Sequence, residues 1–315
     1  MHAPRARLVE DHPVSPGAMT AGHRSVRHRA ARLLGAAACT LLAGACAGNS
    51  VAPVSSTAVE TASKPVTTGS VVAALPGTLA ADFVNLQATL NGHAGLAIMP
   101  VGGDQMVTLG DWTTGPAWAT LKVPLALAVQ AANNGTITPS MTTVMTESDN
   151  SSGDVLWQAL GSADAAAKAV TAVLRQGGDQ KTTVSSSRTR SDLPPYVQTG
   201  WALTDQLRFV SHMPCLPNAD AMLALMIKVA WNQQWGLAKL DNTQFKSGWG
   251  TDTNGNYLIR QFGIITTASG QVAVAIAAQA NSGTLDAGTQ IVTKLSDLVS
   301  KHLDEQVGGT CPKAH

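Results

Sequence analysis

Three apolar runs at 245–250, 256–265 and 272–280 constrain this chain more than any other feature. Asp252-Thr253-Asn254-Gly255 separates the first two, and Ala268-Ser269-Gly270 separates the last two. Short Gly-bearing connections reverse a chain within a few residues, so the runs read as an antiparallel meander. Two more strand-like runs lie far upstream, at 95–100 and 105–112, joined by the hairpin signal Val101-Gly102-Gly103-Asp104. Gly115-Pro116 closes that region.

The sequence between the two blocks has helical spacing. A buried apolar helix over 121–132 ends at the C-cap signal Asn133-Asn134-Gly135. Others cover 164–176, stopped by Gly177-Gly178, then 204–210 and 219–232. A helix with Phe83, Leu86 and Leu90 on one face runs up to His93, and a last helix covers 286–305. The order is helix, two strands, helical middle, three strands, helix. That is an α+β arrangement: an antiparallel sheet built from 75–115 and 240–305, with a helical part at 116–239, in a domain covering 75–310. At 315 residues and 44% hydrophobic, the chain has ample material for its core. A formal net charge of +1 gives no sign of a nucleic-acid partner.

The first 45 residues read as an export signal. A basic stretch with Arg24, Arg27, Arg29 and Arg32 precedes a short apolar run at 33–42, then Ala43-Gly44-Ala45-Cys46. Small residues before a Cys resemble a bacterial lipoprotein signal. The resemblance implies that Cys46 is lipidated and anchors the protein at the outer face of the plasma membrane. Ala43 stands where that family usually has Leu, so an ordinary secretory signal is the alternative. Residues 1–18 read as an upstream misassigned start, with Met19 the true one, or as an extended basic region. The apolar run falls short of the roughly 20 residues a spanning helix needs. Residues 46–74, rich in Ala, Ser, Thr, Val and Pro, read as a disordered tether. With Cys46 acylated, Cys215 and Cys311 remain as a pair, expected to be bridged outside the cytoplasm.

Three islands carry the chemistry. In Ala119-Thr120-Leu121-Lys122 a lysine opens an apolar helix, where an ammonium needs a cleft or a partner. Ser148-Asp149-Asn150 lies between helical stretches, and each of its residues also suits an N-cap. Lys246-Ser247-Gly248 opens the first strand of the meander. In this order the islands resemble the S-x-x-K, S-D-N and K-T-G motifs of class A β-lactamases and penicillin-binding proteins. The resemblance covers roughly 75–305. It implies a five-stranded sheet flanked by terminal helices, with a helical subdomain across the cleft. The shorter gap from Lys122 to Ser148 implies that this subdomain is trimmed.

The resemblance also implies roles. Lys122 would activate a serine one turn earlier, Ser148 would shuttle a proton, and Asn150 would hold a substrate amide. Lys246 and Ser247 would bind a carboxylate, Gly248 would let a ligand approach the backbone, and Arg260 would add a second cation. Yet Ala119 stands at the position of the nucleophile. The loop before the meander also lacks the Glu that activates water in class A enzymes. Between 162 and 246 every acidic residue is Asp, with Asp192 the best placed. The expectation is a monomeric pseudoenzyme without cofactor or metal, binding a cell-wall stem peptide or β-lactam-like molecule. Its alternatives are an active hydrolase using Ser148 near Lys122, and a partner-binding lipoprotein with a vestigial cleft. His93 and His212 lack metal-ligand spacing.

Overall fold

The computed structural model describes residues 77–312. The export signal, Cys46 and the tether lie outside them. In chain order the elements begin with α1 (Leu79–Gln87), β1 (Gly92–Pro100), β2 (Val107–Gly110) and β3 (Thr114–Pro116). A 3-10 turn (Trp118–Leu121) leads into α2 (Lys122–Ala132), then α3 (Pro139–Thr146), α4 (Asn150–Ala159) and α5 (Ala163–Gln176). After a long connection come β4 (Gly200–Ala202), α6 (Leu203–His212) and α7 (Ala219–Met226). The meander β5 (Thr243–Thr251), β6 (Tyr257–Thr267) and β7 (Gly270–Ala280) precedes α8 (Leu285–Lys301).

The main sheet has the antiparallel order β2-β1-β7-β6-β5, so both ends of the chain share it. Period-two alternation assigns its faces. On β7, Ala273, Ala275 and Ala277 face one core, while Val272, Val274 and Ile276 face the other. Small residues on the first face let α6 and the helical part approach closely. Branched residues on the second pack against Ile291, Val292, Leu295 and Val299 of α8. Burial on both faces explains why β6 and β7 read as nearly continuous apolar runs.

Local signals set the ends. Thr284 caps α8 by accepting from Ala287 N, and Ser162 caps α5 by accepting from Ala165 N. Three expected helices are shorter than their spacing suggests. The first stops at Gln87, and His93 lies in β1, 2.5 Å from Asp111. The helix expected over 219–232 stops at Met226, and Trp231–Gln233 is a separate 3-10 turn. The last ends at Lys301 before a 3-10 turn over Leu303–Glu305.

Cys215 and Cys311 form a disulfide with Cα atoms 5.2 Å apart and a sequence separation of 96. It ties the C-terminal tail to the end of the helical part. A two-stranded ladder of β3 and β4 was not foreshadowed by the sequence. Its three-residue rungs are too short to show a period.

Candidate functional site

The 3-10 turn and α2 place Ala119 and Lys122 one turn apart, with the Lys122 backbone N–H bonded to Ala119 O. Trp118 precedes them with φ of +50°, an unusual conformation for a bulky residue. The turn lies against β5. A Cβ on Gly248 would sit 2.7 Å from Thr120 N and 2.8 Å from Ala119 N. Only Gly fits there, and what it admits is the turn carrying Ala119.

Ser148 joins the islands. Lys122 Nζ donates to Ser148 O at 2.5 Å and to Asn150 Oδ1 at 2.7 Å. Lys246 Nζ donates to Ser148 Oγ at 2.8 Å and to Ser247 O at 3.0 Å. Thus each oxygen of Ser148 meets a different lysine, and Lys122 meets its carbonyl rather than its hydroxyl. Ser148 has φ of +62° and precedes the cap of α4. Asp149 is that cap, accepting from Ser152 N at 2.6 Å. The tripeptide therefore both caps a helix and lines the site.

Both lysines are fully buried. Burial lowers the Lys122 ammonium to about 8, although the charges of Asp149 and Asp154 act the other way. Burial holds Lys246 well below the ordinary lysine range, and the charge of Lys122 adds to the shift. Gly153 makes room for this packing: a Cβ there would lie 3.4 Å from Lys122 Cε and collide with the Tyr196 hydroxyl. That hydroxyl is buried without a hydrogen-bond partner, and burial raises its pKa.

A cleft of about 250 Å³ opens over Ala119, lined also by Trp118, Asn150, Leu193, Trp249 and Gly250. Beside it lies a lobe of about 350 Å³ with Trp112, Pro116, Trp118, Leu193 and Leu258 in its wall. Arg190 and Thr251 line both, and Arg190 Nη1 donates to Thr251 O at 2.5 Å.

Two assignments need correction. Adjacent residues on a strand point to opposite faces, so Ser247 cannot share the face of Lys246. Its hydroxyl is buried on the α8 side and accepts from Gln261 Nε2 at 3.0 Å. Arg260 does lie on the cleft side of β6, but it is fully buried. Its guanidinium donates to Gly115 O, Pro116 O, Trp201 O and Gln206 Oε1 at 2.8–3.2 Å. It is a structural knot, not a second cation for a ligand. Asp192 pairs with Arg190 at 2.8 Å and is 61% exposed, so it does not supply the missing acid. Arg190 and Tyr196 were missed, because a loop without periodicity gives no sign of which side chains turn inward.

The Lys122 environment makes stability depend on pH. Its folded pKa, about 8, is below the ordinary lysine value of 10.5. Between those values the unfolded chain binds a proton that the folded chain does not, so stability rises with pH across this window. Below pH 8 both states are protonated and the burial penalty is complete. The increment is on the order of 3 kcal/mol. Denaturant titrations from pH 7 to 10 should show wild type gaining on Lys122→Met as pH rises. A constant difference between the two would contradict this.

The chain matches no family model, and no curated protein matches it. Its fold does match solved structures. TLA-1 extended spectrum β-lactamase aligns at a TM-score of 0.59 with 18% identity, over 72% of this chain and 98% of that one. The chromosome-encoded β-lactamase of Vibrio parahaemolyticus aligns at 0.56 with 15% identity, over 72% and 100%. A β-lactamase from Sphaerobacter thermophilus aligns at 0.53 with 19% identity, over 72% and 96%. The architecture is therefore the class A β-lactamase fold, with a five-stranded antiparallel sheet and a helical part.

Proposed function

We propose that this chain is an exported protein, lipid-anchored at Cys46, whose cleft binds a peptidoglycan-type peptide or a β-lactam-like molecule bearing a carboxylate, with hydrolysis impaired. One observation carries this reading. Lysines from two distant parts of the chain converge on Ser148, and one of them, Lys122, lies one turn after Ala119, which has no oxygen to attack a carbonyl. Such convergence of buried amines is costly, and a ligand anion would offset it. A carboxylate reaching Lys246 favours the charged amine that burial disfavours. Asn150, exposed at the mouth and bonded to Lys122, offers its amide N–H groups to a ligand carbonyl.

The test is calorimetric titration with a stem peptide ending in D-alanyl-D-alanine. Wild type is expected to bind, and Lys246→Met to weaken binding by roughly 10-fold to 100-fold, the range for one charge-assisted hydrogen bond. No heat of binding for wild type, or an unchanged affinity in the variant, would remove the reading.

A further inference from the structure

Ser148 combines three properties that the binding role does not use. It carries a hydroxyl, its backbone is left-handed at φ of +62°, and a buried amine lies 2.8 Å from its Oγ. A left-handed Ser is strained by roughly 1 kcal/mol or more and persists only where its surroundings fix it. Here Lys122 holds its carbonyl and Asp149 anchors the next turn, so the hydroxyl is presented in one position. The ten-residue helix α4 begins two residues later, at Asn150. Ser148 itself is partly exposed.

The two amines differ in their surroundings. Asp149 and Asp154 favour charge on Lys122. Lys246 meets only Ser148 Oγ and Ser247 O, and no carboxylate pairs with it among the described residues. Of the pair, Lys246 is the one with no carboxylate to support its charged form, and burial shifts it toward the neutral amine. A neutral amine at this distance can accept the hydroxyl proton of Ser148.

We propose that Ser148 is a nucleophile, with Lys246 as its general base, and that it takes acyl groups from uncharged esters. As Oγ bonds to the carbonyl carbon, its proton passes to Lys246 Nζ. The tetrahedral oxyanion then collapses and the bond to the ester oxygen breaks. The leaving alkoxide or phenolate takes the proton from Lys246, which gives an acyl-serine and an alcohol. The donor is uncharged because a carboxylate beside Lys246 would keep its amine protonated and remove the base. This reading goes beyond ligand binding and does not require it.

The probe is p-nitrophenyl acetate with the full chain. The expected result is a burst of one equivalent of nitrophenolate, with an acetyl group mapped to Ser148 by peptide mass spectrometry. Ser148→Ala should abolish the burst, and Lys246→Met should slow it at least 100-fold, the usual scale for a general base. A burst undiminished in Ser148→Ala, or no acetyl on Ser148 in wild type, would overturn the proposal. Should either variant fail to fold, the adduct map of wild type decides alone. Acetylation without stem-peptide affinity would overturn only the binding reading; affinity without acetylation would overturn only this one.

Discussion

Ala119→Ser should convert this chain into one that penicillin acylates, with the adduct on residue 119 and formation at least about 10³-fold faster than any labelling of wild type. The magnitude follows from what a nucleophile contributes. Removing one member of a nucleophile–base unit in a serine protease costs about six orders of magnitude, so restoring the oxygen should recover a large part of such a factor. The rest of the unit is present. Residue 119 faces the cleft of about 250 Å³, one turn before Lys122. The Lys122 amine, at about 8, is partly neutral at mildly alkaline pH and can take a serine proton. Acylation of the variant should therefore quicken as pH rises through 8. The adduct should then persist. Asp192 is exposed and bound to Arg190, and Glu147 is exposed, so neither is held over the cleft to activate water. Fluorescent penicillin followed on a gel, with the labelled peptide sequenced, reads both steps. A variant that stays unlabelled would show that the converged motifs no longer form a reactive cleft.

Much of this was legible in the sequence, for reasons that differ by level. The meander announced itself because β6 and β7 run for 11 residues each between Gly-bearing turns. Six of the eight helices among the described residues were placed from the sequence, some over-extended because apolar spacing continues past the last hydrogen-bonded turn at Met226 and Lys301, while α3 and α4 were given no bounds. The site was legible as three islands because each residue type is unusual where it stands. Which atoms meet was not legible: Lys122 reaches the Ser148 carbonyl, and Lys246 reaches the hydroxyl. Ser247 was a different failure. Strand alternation alone separates it from Lys246, and the family motif obscured that elementary constraint. Arg260 sits on the expected side of the sheet. Only the three-dimensional contacts show that distant backbone carbonyls engage its guanidinium.

Arg260→Met should destabilise the fold by about 3–5 kcal/mol, because three carbonyls and a buried amide would lose a charged donor at once. Gly115 O, Pro116 O and Trp201 O belong to the two-stranded ladder, and Gln206 to α6. The guanidinium carbon also lies 5.1 Å from the centre of the Trp112 ring. Although burial lowers its pKa to about 9, the group remains charged near neutral pH. Arg260→Lys should not rescue the fold, since one ammonium cannot span the planar fork that reaches β3, β4 and α6 together. For a domain of this size the loss corresponds to a fall in Tm of about 10 °C. The effect should also reach the cleft. Gln206 Nε2 donates to Thr120 Oγ1 at 2.9 Å, and Thr120 Oγ1 donates to Ala117 O at 2.5 Å. This chain of bonds runs from Arg260 to the turn that positions residue 119. Placed in the Ala119→Ser background, Arg260→Lys should therefore slow acylation as well as lower stability. Urea titrations measure the first effect, and penicillin labelling well below the new Tm measures the second. A stability change under 1 kcal/mol in Arg260→Met would show that water replaces the guanidinium readily, and that the knot holds nothing the sheet does not hold already.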